Sequence, residues 1–171
     1  MIKRELGHRV SPKSTKEIVK IALATRKLLG LETSKKINLT VLVELFLQND
    51  LIEIVEDHEL LGRYALTYPD KNIIKIRNSV YEDLCNGSPR ARFTIAHEIG
   101  HLVMHKNQTA FARGGSKNHK IFEDGEWQAD TFASHFLINR EFVTEGMTAN
   151  DISNTFGVSY TAAETWLSKN R

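Results

Sequence analysis

The chain has 171 residues, 41% hydrophobic and 26% charged, with a formal net charge of +2. That is enough apolar material for one core, so we expect a main domain over residues 1–145 and a helical hairpin, 146–171, packed on it. The near balance of charge argues against both a nucleic-acid footprint and a membrane surface, and no apolar run approaches the ~20 residues a membrane span needs. Residues 1–10 are charged and lack an apolar stretch, which predicts a cytoplasmic protein without a secretory signal. Cys85 is the single cysteine, so no internal disulfide can form, and we read it as an incidental or structural thiol.

Residues 1–13, with Lys3, Arg4, Arg9 and Lys13, read as a loose basic arm. Ser14 and Glu17 then form a capping-box pattern, and Ile18, Ile21, Ala22, Leu28 and Leu29 keep helical spacing up to Gly30. A second helix is predicted from an N-cap at Thr40 to Gln48. The period then changes. Leu51–Val55, Arg63–Tyr68 and Asn72–Arg77 read as strands, the last two joined at Pro69-Asp70-Lys71. Together they predict a small, mostly antiparallel sheet packed on helices, an α+β arrangement. One edge strand would suit pairing with an extended peptide backbone.

Ser88 as N-cap and Pro89 at the first helical position open a helix over about 89–105, with Phe93, Ala96, Ile99, Gly100 and Val103 as its apolar stripe. In its middle stands His97-Glu98-Ile99-Gly100-His101. Two histidines four residues apart lie about 40° apart around a helix axis and can grip one metal ion. Glu98 sits close enough to act as general base, so the pentapeptide is an HExxH motif, the arrangement of a zinc peptidase. Catalytic zinc takes three protein ligands plus water. Met104 and Asn107 exclude the metzincin continuation. A further helix near 121–138 carries Glu126 and, one turn on, Asp130. Glu126 could supply the third ligand and Asp130 could accept the outer N–H of a ligand histidine. His119, His135, Glu123 and Asp124 compete as ligands, and His105, one turn past His101, could line the cleft but reads rather as a residue supporting the ligands from behind or lying at the surface. The polar segment Lys106–Lys120, with Gly114-Gly115, has the composition of a flap over the site.

The run Arg92 to Leu102 closely resembles the central helix of the ImmA/IrrE family of metallopeptidases. Glu126-Trp127-Gln128-Ala129-Asp130-Thr131-Phe132-Ala133 resembles the family's second motif, and Asn72–Asn78 its preceding strand. Asn139 stands where the family often has proline. The resemblance spans roughly residues 35–170. It implies a zincin-like fold, one Zn2+ per chain held by His97, His101 and Glu126, and Glu98 as catalytic base. It also implies a metalloendopeptidase whose protein substrate is a transcriptional repressor encoded nearby.

Near the C-terminus, Ile152–Phe156, Gly157 and Tyr160–Leu167 read as helix, tight turn, helix, with Val158, Ala163 and Trp166 apolar. A DNA-reading second helix needs basic or amide side chains, whereas this one offers Glu164 and Thr165. The pattern therefore favours a structural or partner-docking hairpin over direct nucleic-acid binding. The competing readings are a DNA-binding regulator using this hairpin and a non-proteolytic, toxin-like partner of a DNA-binding antitoxin or repressor. Tyr64, Tyr68, Tyr81, His105 and His119 are candidate oxyanion donors.

Overall fold

The computed structural model describes residues 6–108 and 118–170. Helix α1 (Thr15–Leu28) opens on a reciprocal cap: Glu17 N donates to the Ser14 hydroxyl, and Ser14 N donates to the Glu17 carboxylate at 2.7 Å. The chain leaves it through Gly30 at φ +67°. Ile18 and Ala22 are fully buried, but Leu28, expected on the same face, is 86% exposed. Arg26 lies inside instead, its guanidinium donating to the carbonyls of Phe136, Leu31 and Ser34. Helix α2 (Leu39–Gln48) is capped not by Thr40 but by Asn38, whose side chain accepts from Val41 N.

Strands β1 (Ile52–Val55), β2 (Ala65–Tyr68) and β3 (Ile73–Arg77) form one sheet in the order β1–β3–β2. The β2–β3 pair is an antiparallel hairpin, closed through a turn at Pro69–Lys71 with Asn72 at φ +57°. β1 and β3 run parallel, Ile52 beside Ile74 and Ile54 beside Ile76. This corrects the mostly antiparallel sheet expected from sequence: of its two pairings, one is parallel. The link from β1 to β2 turns through Asp57–Leu60 and then Leu61-Gly62, both at positive φ. It crosses one strand's width, so β3 fills the place beside β1 after two reversals of direction.

Helix α3 (Asn78–Cys85) follows β3 directly, with little apolar periodicity in the sequence to mark it. Its only core residues are Val80 and Leu84, one turn apart. Ser88 and Pro89 then open helix α4 (Pro89–Met104), the Ser88 hydroxyl accepting from Ala91 N. Ala96, Ile99 and Gly100 are buried as expected, whereas Val103 is 42% exposed and Ile95, Leu102 and Met104 are buried in its stead. α4 packs against β2 on one side and against helix α5 (Gly125–Leu137) on another, so its apolar surface is broader than a single stripe. At the α4–α5 crossing a Cβ on Gly100 would stand 3.0–3.2 Å from Phe132, a distance that only a glycine leaves relaxed. Phe132 in turn stacks on Phe136 at 5.4 Å. This close approach sets the distance between the two site-bearing helices.

Helices α6 (Ala149–Phe156) and α7 (Tyr160–Asn170) meet at Gly157, φ +68°. Their Ile152, Phe156, Val158, Ala163 and Trp166 join the same buried cluster as the α4 and α5 side chains. Arg92 of α4, 5% exposed, ties the turn down. Its guanidinium donates to the carbonyls of Gly157 (2.8 Å), Ile37 (3.0 Å) and Phe156 (3.1 Å).

The arm expected to be loose is, over residues 7–13, laced to the start of α5. Val10 N donates to Glu123 O, Lys13 N to Phe122 O and Gly125 N to His8 O. Arg9 pairs with Glu123 at 2.6 Å, and Val10 is buried. Its residues 1–5 lie outside the described residues, as do 109–117 of the Lys106–Lys120 segment read as a flap. Among the described residues no helix is long and apolar enough to cross a membrane.

Candidate metal centre

On α4, His97 and His101 point their Nε2 atoms at one another, 3.0 Å apart. α5 brings Glu126 to the same point: its Oε2 lies 3.3 Å from His97 Nε2 and its Oε1 3.4 Å from His101 Nε2. Among the described residues these three form the group whose ligand atoms converge closely enough to hold a metal ion. Ligands on a tetrahedral zinc at about 2.0–2.1 Å stand roughly 3.3–3.4 Å apart, so the spacing fits such an ion. Both imidazoles are largely covered, at 15% and 17% side-chain exposure, while Glu126 at 43% leaves one side open.

Electrostatics points the same way. Two imidazole nitrogens and a carboxylate that converge this closely repel unless a cation lies between them. Without a metal, a proton takes that role. Burial opposes charge on His97, but the carboxylates of Asp130, Glu126 and Glu98 outweigh it and raise its pKa to about 10. Glu126 is held far below the usual carboxylate range by His101 and His97. A metal ion would displace that proton and satisfy the same three groups.

Each histidine has a different second partner. His97 Nδ1 lies 2.8 Å from Asp130 Oδ1. His101 Nδ1 lies 2.8 Å from His105 Nδ1, and His105 Nε2 lies 3.1 Å from Gln128 Oε1. His105 is 6% exposed, and burial together with His101 lowers its pKa to about 4. Of the positions the sequence left open, it takes the one behind the ligands: an interior residue in contact with His101, neither in the cleft nor at the surface.

Glu98 is 8% exposed and turns toward β2, where the Thr67 hydroxyl stands 2.5 Å from its Oε2 and 3.1 Å from its carbonyl. The sequence gives no hint of Thr67, which reaches α4 only through packing of the sheet. The remaining candidate ligands sit elsewhere. Asp124 is the N-cap of α5, accepting from Trp127 N at 2.8 Å and Gly7 N at 2.5 Å. His119 Nε2 lies 3.0 Å from Asp124 Oδ2. Glu123 pairs with Arg9, and His135 packs its ring on Trp166. Of the candidate oxyanion donors, Tyr81 is hydrogen-bonded to Glu44, and the rings of Tyr64 and Tyr68 are covered by Arg90 and Lys71. Cys85 is exposed.

The fold and site define an α+β protein whose central helix offers two histidines and, from its neighbour, a carboxylate to one metal ion. The family model of the IrrE N-terminal-like domain, peptidase family M78, matches residues 56–168, about two thirds of the chain. The chain belongs to that family of metal-dependent peptidases. No curated protein and no solved structure gave a significant match.

Proposed function

We propose that this protein is a zinc-dependent metalloendopeptidase of zincin-like fold that cleaves a regulatory protein, a transcriptional repressor encoded beside it, in the cytoplasm. The observation that carries this reading is the convergence of His97, His101 and Glu126 with Glu98 one step along the same helix. His97, His101 and Glu126 would hold one zinc ion. When bound, zinc supplies Lewis acidity and brings the pKa of water toward neutrality.

The chain's own residues do the rest. Glu98 is the group that accepts a proton from the attacking water and later delivers it to the leaving amine. The Thr67 hydroxyl donates to one carboxylate oxygen and so fixes the direction of the other. Asp130, accepting from His97 Nδ1–H, holds that imidazole with its Nε2 lone pair facing the centre. The substrate class follows from the family resemblance. The hairpin of α6 and α7, fixed to the core through Arg92, is the candidate surface for recognising that partner.

The test is direct. Zinc-loaded protein is incubated with the purified repressor from the adjoining gene, and fragments are read by mass spectrometry with and without chelator. Chelator-sensitive cleavage at one position supports the proposal. Stoichiometric zinc and tight repressor binding without cleavage would replace it with the non-proteolytic partner.

A further inference from the structure

His97 and His101 leave α4 one turn apart and face the same point, yet their supports differ in kind. His97 meets a carboxylate, a common outer partner of a metal-bound imidazole. His101 meets a second, buried imidazole. A hydrogen bond between two ring nitrogens contains one proton, so one ring must donate and the other accept.

The direction follows from the far end of the chain. Gln128, fully buried, donates through its amide nitrogen to Phe122 O (2.8 Å) and Ser11 O (2.9 Å). Turning the amide over would set its oxygen against two carbonyl oxygens, so its Oε1 must face His105. His105 Nε2, 3.1 Å away, must then carry the proton and donate it. A neutral His105 protonated on Nε2 has a bare Nδ1, which accepts from His101 Nδ1–H. His101 is thereby left with its Nε2 lone pair directed at His97 and Glu126. Every donor in the series Gln128, His105, His101 has one acceptor, and reversing any one link breaks the next.

We infer that His105 and Gln128 are positioning residues that fix the metal-binding tautomer of His101, with the backbone of Ser11 as the anchor. This rests on the reading of His101 as a metal ligand. It gives residues 7–13, which lie outside the 56–168 family match, a part in the metal site. The Ser11 carbonyl holds the Gln128 amide. Gly7 packs its backbone against the Glu126 side chain, leaving no room there for a Cβ.

Two measurements test it. In zinc-loaded wild-type protein, 15N NMR of the histidine rings should find the proton on Nε2 of His105 and on Nδ1 of His101. Competition with a chromophoric chelator should find zinc affinity reduced about 10–100-fold in His105→Phe. His105→Gln, which keeps an acceptor toward His101 and a donor toward Gln128, should stay within about threefold of wild type, as no purely space-filling role would predict. A proton on Nδ1 of His105, or wild-type zinc affinity in His105→Phe, overturns the inference. The NMR arm uses the native chain and decides the matter even if His105→Phe fails to fold. Failure of the wild-type protein to bind zinc would sink the metal reading itself, a result distinguishable from either of these.

Discussion

The two halves of α4 bury polar side chains for opposite ends. Around Arg92 a guanidinium is spent on three backbone carbonyls, of Ile37, Phe156 and Gly157, and does nothing but hold distant segments together. Around His97 to His105 the polar groups meet side chains and leave a convergent set of lone pairs facing the open side of the site. The first half is a fastening, complete in itself. The second is satisfied internally only in part, and its deficit is what a cation would fill. Substitutions at the two ends should therefore separate chemistry from stability.

The largest effect belongs to the chemical end. Glu98→Gln keeps the size and the contact with Thr67 but removes the base. Peptide cleavage should fall on the order of 10³–10⁴-fold while zinc content and melting temperature stay near wild type. Cleavage close to the wild-type rate would remove Glu98 from the mechanism. Glu126→Ala should lower zinc affinity at least about 100-fold, comparably to His97→Ala or His101→Ala. His119→Ala, which disturbs a contact with the α5 cap, should leave affinity nearly unchanged. Chelator competition across the four variants decides whether Glu126 or His119 completes the centre.

The structural end breaks the comparison from the other side. Arg92→Met strands three carbonyl oxygens in the interior and should cost about 3 kcal/mol in urea unfolding. Zinc affinity of the fraction that remains folded should be unchanged. A loss of affinity at constant stability would mean that the clamp tunes the site and does not merely hold the hairpin. Asp130→Ala should have a smaller effect, about 10–100-fold in zinc affinity, because His97 keeps its place on the helix but loses its outer acceptor.

The site was legible in sequence only as far as spacing reaches. A four-residue interval puts His97 and His101 on one face whatever the fold, and the Ser88-Pro89 cap fixed the helix that carries them. Which acid meets them was legible only in part: Glu123, Asp124 and Glu126 crowd four positions, and Glu126 stood out through Asp130 one turn on and through the family resemblance. Their roles separate only when α5 starts at Gly125, turning Asp124 into its cap and Glu126 toward α4. Arg26 and Arg92 were invisible as core residues because a charged side chain is read as solvated, and only folded carbonyls make its burial affordable. Thr67 was hidden because its partner lies 31 residues away across packed layers. The order β1–β3–β2 was hidden because strand patterns carry no record of which neighbour they pair with. α3 was missed because two core residues in eight make too faint a period.

The smallest effect concerns the lacing of residues 7–13 onto α5, the weakest of the supports behind the end of α4 that carries His97 and His101. Arg9 donates to Glu123 from a side chain that is 41% exposed, so solvent screens the pair and its contribution is modest. Its signature is a pH dependence. Glu123 is held below its ordinary value of 4.5, first by the Arg9 side chain and then by the Lys120 backbone N–H. A carboxylate whose folded pKa is depressed stabilises the fold fully above its unfolded value, and that contribution fades as pH falls through the folded value. Arg9→Gln should therefore melt at most about 2–4 °C below wild type at pH 7. The gap should persist to about pH 5 and close as acid protonates Glu123 in both proteins. Calorimetric scans at pH 7, 5 and 3 would measure it. A gap that stayed constant down to pH 3 would show that Arg9 acts by packing its stem along α5, and that its charge contributes nothing.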